Sequence, residues 1–474
     1  MGGKPMTTWF IIFAAIYVGL LVFASIKSYS RNRTADEFML ANKSITSILG
    51  FLTYSAALFS AFTFMGMPDF FRNHGVGAWI FLAVSDAVMV FLILWFGYKL
   101  RRQATRFGFK GIAGLMMSCF RNKWAGYALF TSAFIFLIPY VAIQIRGISI
   151  FLDATLPGSL PAWGWSAIIV TFMLIYSEIG GLKAIVYSDA IQGLILLTVI
   201  WLIGTTCIGY EGGVGSLFNG VKEVNSKLLS TPGPNGLFDR QFLITSLIAV
   251  VLIPVTQPHF TIRIAVMKSL RSMHRMAIGV GVFALLIILP TAFIGMYGAI
   301  NYTDDTTSHF LSNALLFDQA DTVAALAIIG LFAAVLSTTN AQLFALGSEL
   351  RSILKGKENK VMMWARIGIF IFAVITLIFS TYMSDQLVLL ARMSFTGTSM
   401  MAPVVIVGVL AKEAPGKELF IVSLTALFVF LASLFDLVPG EIHGFLIESI
   451  LYIVLVITTG LSLIIRKTKL QKSL

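Results

Sequence analysis

Apolar runs of about 20 residues recur along the whole chain, and each is long enough to cross roughly 30 Å of hydrocarbon as an α-helix. Apolar residues make up 58% of the 474-residue sequence, whereas charged residues make up 12%. A soluble protein carries about twice that share of charged residues. The sequence therefore predicts an all-α, polytopic membrane protein.

Thirteen runs qualify as transmembrane helices. The first is followed by KSYSRNR rather than by the small residues of a signal-peptide cleavage site, so we expect it to be retained. No connection between the runs suggests a separate soluble domain. The predicted spans are 8–26, 46–71, 77–99, 124–152, 161–178, 185–209, 242–264, 276–299, 321–349, 361–383, 386–411, 418–437 and 444–465.

The basic residues predict the orientation of the chain. With the N-terminus outside and the loops assigned alternately, the inner segments hold 27 of the 34 lysines and arginines, and Arg146 and Arg392 fall within spans. Lysine and arginine concentrate in cytoplasmic loops of membrane proteins. We expect a plasma (inner) membrane protein with a cytoplasmic C-terminus, whose net charge of +12 faces anionic lipid rather than nucleic acid.

The residue types that enzymes commonly use form no recognisable constellation. Cys119 and Cys207 are predicted at opposite membrane faces, so they cannot form a disulfide, and the five histidines lack metal-ligand spacing. A nucleophile–base pair and a phosphate-binding loop are also missing from the sequence. An enzyme is therefore not predicted, and no obligate protein partner is indicated.

Two spans share an interruption. FLTYSAALFSAFTFMGMP (51–68) and FLITSLIAVVLIPVTQP (242–258) both begin Phe-Leu and end at a proline, which removes a backbone donor and disrupts a helix. Paired interrupted helices in two halves of a chain indicate a transport site at the membrane midplane. The predicted units are an N-terminal extra helix (1–45), two inverted five-helix repeats (46–209 and 242–411) separated by an outer loop (210–241), and two C-terminal helices with a basic tail (412–474).

An unusual concentration of polar side chains occupies the middle of the ninth span, which contains AAVLSTTNAQ (333–342). Backbone carbonyls freed by the interruption near Ala56 and Phe59 are tolerated only where they line a cavity or coordinate a ligand. With the hydroxyls of Ser337 and Thr338 they would form an uncharged oxygen site that suits Na⁺. For one such hydroxyl, bonding to its own helix is the simpler explanation, but the cluster favours ion binding.

Charge within a membrane span is costly and usually functional, and three charged residues in the predicted spans are candidates for such a role. Asp189 lies near the start of its span, so a helix-capping role competes with an ion-binding role. Asp86 has no neutralising neighbour in sequence, and Arg146 can clamp a carboxylate, extend to the interface or pair with Asp86. Neutral groups suited to orienting a small polar solute are those of Thr63, Gln144, Gln257 and Asn340.

Three stretches carry a resemblance to a known family, namely MGMP (65–68), YSEIGGLKAIVYSDAIQG (176–193) and LFAAVLSTTNAQL (331–343). On these motifs the sequence resembles the sodium/solute symporter family, which includes sodium/proline, sodium/pantothenate and sodium/glucose symporters. The resemblance spans essentially the whole chain. It implies about thirteen transmembrane helices, an outside N-terminus and a five-plus-five inverted-repeat (LeuT-like) core.

The resemblance also implies roles for individual residues. The acidic residue on the ion-release path would be Asp189. The sodium site would comprise carbonyls of Ala56, Phe59 and Ala334 and hydroxyls of Ser337 and Thr338. The substrate cavity would be lined from the spans that contain Ser60, Thr63, Asp86, Gln144 and Gln257.

Three departures from the family pattern lie near this expected cavity. Asp69 follows the MGMP proline where members often have glycine, Leu58 stands where some have aspartate, and Arg146 replaces an apolar residue. These changes bear on which solute is bound rather than on the fold.

The sequence thus predicts Na⁺-coupled symport of a small polar organic solute into the cell by alternating access. Arg146 adds the hypothesis that the solute carries a carboxylate. Two alternatives remain at this point: a transporter-like membrane sensor or input module, and a proton-coupled symporter that uses Asp86 or Asp189 as the proton carrier.

Overall fold

The computed structural model describes residues 4–28, 40–41, 44–155, 158, 160–179, 181–411 and 414–472. Parts of the predicted N-terminal unit and C-terminal tail, and Gly180 of the quoted motif, lie outside these ranges. Within them the chain is almost entirely helical, apart from loops and a two-stranded hairpin, and the all-α prediction is confirmed.

The elements follow one another as long helices interrupted by short ones. Two π-helical turns, Phe62–Gly66 and Ile80–Val84, directly precede α3 and α4. In chain order the elements are α1 Lys4–Ser28, α2 Ser47–Leu58, α3 Met67–His74, α4 Ser85–Phe107, α5 Ile112–Phe120, α6 Lys123–Thr155, α7 Ala162–Ile179, α8 Gly181–Tyr210, α9 Val214–Asn225, α10 Arg240–Val251, α11 Ile253–Thr256, α12 Pro258–Ala265, α13 Leu270–Asn301, α14 Thr307–Ser312, α15 Asp321–Ile353, α16 Glu358–Tyr382, α17 Leu387–Ser399, α18 Ala402–Leu410, α19 Glu418–Ser433, β1 Glu441–Ile442, β2 Phe445–Leu446 and α20 Ile447–Lys472.

The described helices agree with a multi-pass membrane protein. Eight are long and apolar enough to cross a membrane, and two bent pairs raise the number to ten. The other three predicted spans, 161–178, 242–264 and 418–437, fall on α7, on the interrupted α10–α12 and on the 16-residue α19. The count of thirteen therefore stays a prediction.

Both interruptions predicted from the sequence are present, and their backbones match. Phe59 ends α2 with φ −99° and ψ 117°, and Gln257 precedes α12 with φ −91° and ψ 117°. The proline explanation is correct only for the second, where Pro258 follows the extended residue directly. In the first, the break precedes the π-helical turn, and Pro68 occupies the start of α3, where a missing N–H is tolerated.

Helix α15 lies at the centre of the packing. Every residue from 333 to 349 is buried, so the helix is covered on all sides by its neighbours. It packs against α1, α6 and α8, while α13 packs against α2, α3, α4 and α8. The polar segment AAVLSTTNAQ is therefore enclosed by protein rather than exposed to lipid.

One end of α15 is tied to the short helix α5. The buried carboxylate of Glu349 accepts hydrogen bonds from the N–H groups of Ile112 (2.8 Å) and Ala113 (2.7 Å). The hydroxyl of Ser352 accepts a third from Gly114 at 3.0 Å. Because the first turn of a helix has N–H groups without helical partners, these side chains cap α5 and anchor it to α15.

Candidate ion and solute sites

The break after α2 is held by side chains from α6. Gln144 accepts a hydrogen bond from the N–H of Ala61 at 3.1 Å and donates to the hydroxyl of Ser60 at 3.1 Å. The Tyr140 hydroxyl donates to the carbonyl of Leu58 at 3.4 Å. Buried polar groups of an irregular backbone must find such partners, so α6 stabilises the interruption.

Two hydroxyls predicted to contact solute lie in the turn that follows the break. The N–H of Ser60 donates to Thr63 Oγ1 at 3.3 Å, and Ser60 Oγ accepts from the N–H of Phe62 at 3.2 Å. These contacts show that Ser60, Thr63 and Gln144 organise the backbone. Their contact with solute stays a prediction.

The predicted sodium ligands from the two segments come together. The hydroxyl of Ser337 donates to the carbonyl of Ala56 at 3.0 Å and to that of Ala334 at 3.0 Å. The hydroxyl of Thr338 donates to the same Ala56 carbonyl at 3.3 Å. The fifth predicted ligand, the carbonyl of Phe59, lies at the break itself, one turn beyond Ala56. The cluster consists of neutral hydroxyl and carbonyl oxygens, which are ligands for a hard cation.

A close approach of α8 to α2 places Asp189 beside this cluster. A Cβ added at Gly193 would lie 3.3 Å from the Cβ of Ala56, so the glycine allows the two helices to pack tightly. Asp189 precedes Gly193 by four residues, or about one helical turn. Since Asp189 is two turns into α8, which begins at Gly181, it does not cap that helix.

Asp189 belongs to a buried network that joins three helices. Arg263 of α12 donates to Asp189 Oδ2 at 2.7 Å, and the Thr53 hydroxyl of α2 donates to the same oxygen at 2.6 Å. Arg263 also donates to Thr53 Oγ1 at 3.0 Å and to the carbonyl of His259 at 2.8 Å. Asp189 Oδ1 has no hydrogen-bond partner among the described residues. The network thus leaves one carboxylate oxygen able to meet an ion.

Unsatisfied amide groups lie at the second break and in the polar segment of α15. Gln257 donates to the Thr398 hydroxyl at 3.0 Å, but its Oε1 has no partner within the described ranges. Both side-chain polar atoms of Asn340 are likewise without a described partner, although the residue is 1% exposed. Buried polar groups without partners usually bind water or a ligand, so both residues stay candidates for solute binding.

Arg146 does not pair with Asp86. Its Nε donates to Asp385 Oδ1 at 2.8 Å, and the two side chains are 26% and 35% exposed. The sequence left a carboxylate clamp, an interfacial position and a pair with Asp86 open. The structure shows a partly exposed ion pair with a residue 239 positions away, which gives the Nε–H of Arg146 a partner within the chain.

Replacing Arg146 or Asp385 by alanine is expected to have a small effect. A partly exposed ion pair contributes about 0.2–1 kcal/mol, and the double variant should lose no more stability than the larger single loss. Thermal unfolding and uptake of acidic and neutral solutes measure both properties. Selective loss of acidic solutes in Arg146→Ala but not in Asp385→Ala would instead show a direct clamp.

A polar cavity of about 370 Å³ lies at the far end of α3 from the break. There Arg72 donates to Asp69 at 2.8 Å and to the carbonyls of Tyr302 and Asp305 at 2.7 and 2.9 Å. Thr307 donates to the second oxygen of Asp69 at 2.9 Å. The aspartate that departs from the family pattern therefore helps to fasten α3 to the loop before α14.

Sequence reasoning missed three residues that the structure places in these networks. Arg263 was counted with the inner basic residues, although it lies within the predicted span 242–264, which was a usable signal. Asp385 and Tyr140 had no comparable signal, because their importance depends on contacts between distant segments.

The interrupted helices, the enclosed oxygen cluster and the multi-pass architecture define the class: this is a helical membrane transporter. The profile of the sodium:solute symporter family matches residues 38–417, which is most of the chain. The chain therefore belongs to the sodium:solute symporter family, as its motifs predicted.

Characterised relatives are transporters. The chain is 29% identical over 344 residues to the sodium/pantothenate symporter of Haemophilus influenzae, covering 70% of this chain and 68% of that protein. It is 21% identical over 389 residues to the high-affinity proline transporter PutP of Bacillus subtilis, covering 78% and 80%.

A solved structure shows the same fold. It is a substrate-bound, outward-open state of a Na⁺-coupled sialic acid symporter, which matches with a TM-score of 0.76 at 16% identity and covers 97% of this chain and 98% of that one. The predicted inverted-repeat fold is therefore confirmed, whereas the individual site residues stay predictions.

Proposed function

We propose that the protein couples the entry of Na⁺ to the uptake of a small polar organic solute across the plasma membrane, with its N-terminus outside. The observation that carries this proposal is the contact between the hydroxyls of Ser337 and Thr338 and the carbonyl of Ala56. Those groups belong to two helices, α15 and the interrupted α2, which alternating access must move relative to each other.

The oxygen cluster supplies the coupling step. In the described contacts, the hydroxyls of Ser337 and Thr338 donate hydrogen bonds to the Ala56 carbonyl, and these two bonds link α2 to α15. A cation held between the same oxygens would attract carbonyl and hydroxyl dipoles alike. Ion binding would therefore strengthen the attachment of α2 to α15 and fix the break that borders the solute region.

A Na⁺ ion that leaves the oxygen cluster would next meet the carboxylate of Asp189. Thr53 precedes Ala56 by three residues on α2, and its hydroxyl contacts Asp189. The second oxygen of Asp189 is buried and has no partner in the described part of the chain. Release toward this carboxylate would proceed about one helical turn at a time. The membrane potential adds about 2.3 kcal/mol per charge per 100 mV to the driving force.

Arg146 gives no support to the hypothesis that the solute carries a carboxylate. That hypothesis required a guanidinium available to solute, and the Arg146 side chain donates to Asp385 instead. The coarser proposal of a small polar solute stands without it, because Gln257 and Asn340 keep buried amide groups without described partners.

Proteoliposomes with separately imposed Na⁺ and pH gradients test the function. Because relatives carry pantothenate and proline, labelled forms of both serve as first probes, together with ²²Na⁺ influx measured while solutes are added. We expect accumulation and solute-stimulated ²²Na⁺ entry with the Na⁺ gradient alone. Accumulation with the pH gradient alone would support proton coupling, and solute binding without flux would support a sensor.

A further inference from the structure

Asp86 faces the interior of the helix bundle. It lies on the buried stripe of α4, at the spacing of three or four residues that one face of a helix requires, whereas Phe91 on the opposite face is 73% exposed. The stripe consists of Asp86, Met89, Ile93 and Phe96. The π-helical turn Ile80–Val84 ends immediately before α4. Such turns often occur at functional sites, where they redirect the side chains that follow.

The carboxylate of Asp86 has no partner in the described chain. The residue is 6% exposed, and no described residue forms a hydrogen bond or an ion pair with it. Buried carboxylates in proteins are normally paired, because an isolated charge is expensive to remove from water. An unpaired carboxylate at this depth therefore indicates that the partner is not part of the chain.

Two tyrosines lie within electrostatic range of Asp86, and each packs against another aromatic ring. Asp86 is close enough to the hydroxyls of Tyr54 (α2) and Tyr140 (α6) to contribute to their electrostatic environment. The ring of Tyr54 lies 4.7 Å from that of Phe260, and the ring of Tyr140 lies 5.0 Å from that of Phe395. Aromatic faces attract cations where water is excluded. The rings and the carboxylate therefore both favour a positively charged ligand.

Arg263 and Arg146, two arginines within predicted spans, form ion pairs with other acids. Arg263 donates to Asp189, Thr53 and the carbonyl of His259, and Arg146 donates to Asp385. His259 is fully buried, and neither ring nitrogen has a described hydrogen-bond partner. None of these described groups therefore gives Asp86 a cationic partner.

We propose that Asp86 binds a positively charged nitrogen of the transported solute, so that the solute is an amine, a quaternary ammonium compound or a zwitterion rather than a simple acid. Tyr54 and Tyr140 would flank the charged group. This inference rests on the proposed symport function and names its solute class. It replaces the carboxylate that Arg146 suggested with a cationic group as the primary recognition element.

Thermal-shift measurements on the purified full chain with Na⁺ test the proposal, using pairs of equal size that differ in the charged nitrogen. The pairs are L-alanine and L-lactate, L-proline and tetrahydrofuran-2-carboxylate, choline and 3,3-dimethylbutanol, and putrescine and 1,4-butanediol. We expect at least one nitrogen-bearing member to stabilise the protein. Its partner should bind at least about tenfold more weakly, as the loss of a hydrogen bond to a charged group predicts.

Asp86→Asn should lower the affinity for the nitrogen-bearing compound by about tenfold and reduce the difference within its pair. Ser85→Ala is the matched control, because this buried neighbouring hydroxyl donates to the carbonyl of Ile80 at 3.4 Å. Stabilisation by Na⁺ alone should persist in both variants and shows that they are folded.

Three results would overturn the proposal: no nitrogen-bearing member binds, both members of each pair bind equally, or Asp86→Asn binds as the wild type does. Loss of Na⁺ stabilisation in Asp86→Asn alone would make the carboxylate an ion ligand and would also overturn it. Failure of Na⁺ to stabilise the wild type would instead contradict the proposed function.

Discussion

Replacing Ser337 and Thr338 together by alanine is expected to abolish Na⁺-dependent uptake while the protein remains folded. Both hydroxyls contact the Ala56 carbonyl, so the change removes two oxygens from one cluster. A contact to a charged group contributes about 1.5–3 kcal/mol, and about 1.4 kcal/mol is tenfold in affinity. The affinity for Na⁺ should therefore fall about 100-fold or more, so that no Na⁺-dependent uptake remains at Na⁺ concentrations that saturate the wild type.

Ser348→Ala provides the control on the same helix. Its buried hydroxyl donates to the carbonyl of Phe344 in its own helix at 3.0 Å, away from Ala56. Uptake is measured in proteoliposomes over a series of Na⁺ concentrations, and folding is measured by thermal unfolding without Na⁺. An unchanged Na⁺ dependence in the double variant would show that the ion binds elsewhere.

Replacing Asp189 by asparagine is expected to lower the free energy of unfolding by roughly 3–5 kcal/mol, because removal of one partner leaves a buried charge uncompensated. The exposed fractions of the Arg263 and Asp189 side chains are 2% and 0%. The double variant Asp189→Asn with Arg263→Gln should recover part of this loss. Both variants should lose Na⁺-coupled uptake if the carboxylate receives the departing ion.

A double-mutant cycle, measured by thermal unfolding, separates the interaction energy between Asp189 and Arg263 from the effects of the two single substitutions. Ser188→Ala is the control, since this buried neighbour donates to the carbonyl of Ile185 in its own helix at 3.0 Å. Strictly additive effects of the two substitutions would contradict a coupled pair. Normal uptake in a folded double variant would remove Asp189 from the ion-release path.

The apolar runs in the sequence were enough to predict the helical architecture, and the polar residues within them were enough to select the candidate ion-binding segments. The hydroxyl cluster at Ser337 and Thr338 was visible because polar residues are conspicuous in an apolar helix. The first break lies near Ala56 and Phe59 as predicted, but proline does not cause it, because Pro68 lies inside α3 rather than at the break. The extended residue Phe59 carries no mark of its own in the sequence.

Ion pairs between distant segments were beyond sequence reasoning. Arg146 finds its partner 239 residues away, and Arg263 finds Asp189 at a separation of 74. No local spacing distinguishes a free charge from one that is neutralised by folding. The structure therefore shows Arg146 paired with Asp385, whereas Asp86 has no partner among the described residues and stays a candidate for solute binding.

The clamp of Glu349 on α5 has a mechanical consequence. Because this carboxylate holds the first turn of α5, displacement of α15 must carry the short helix with it. The basic residues that border α5, Lys110 and Arg121, would then travel as one rigid body with the helix that bears Ser337. Through this one carboxylate, each movement of α15 during turnover would also displace Lys110 and Arg121 relative to the neighbouring lipid headgroups.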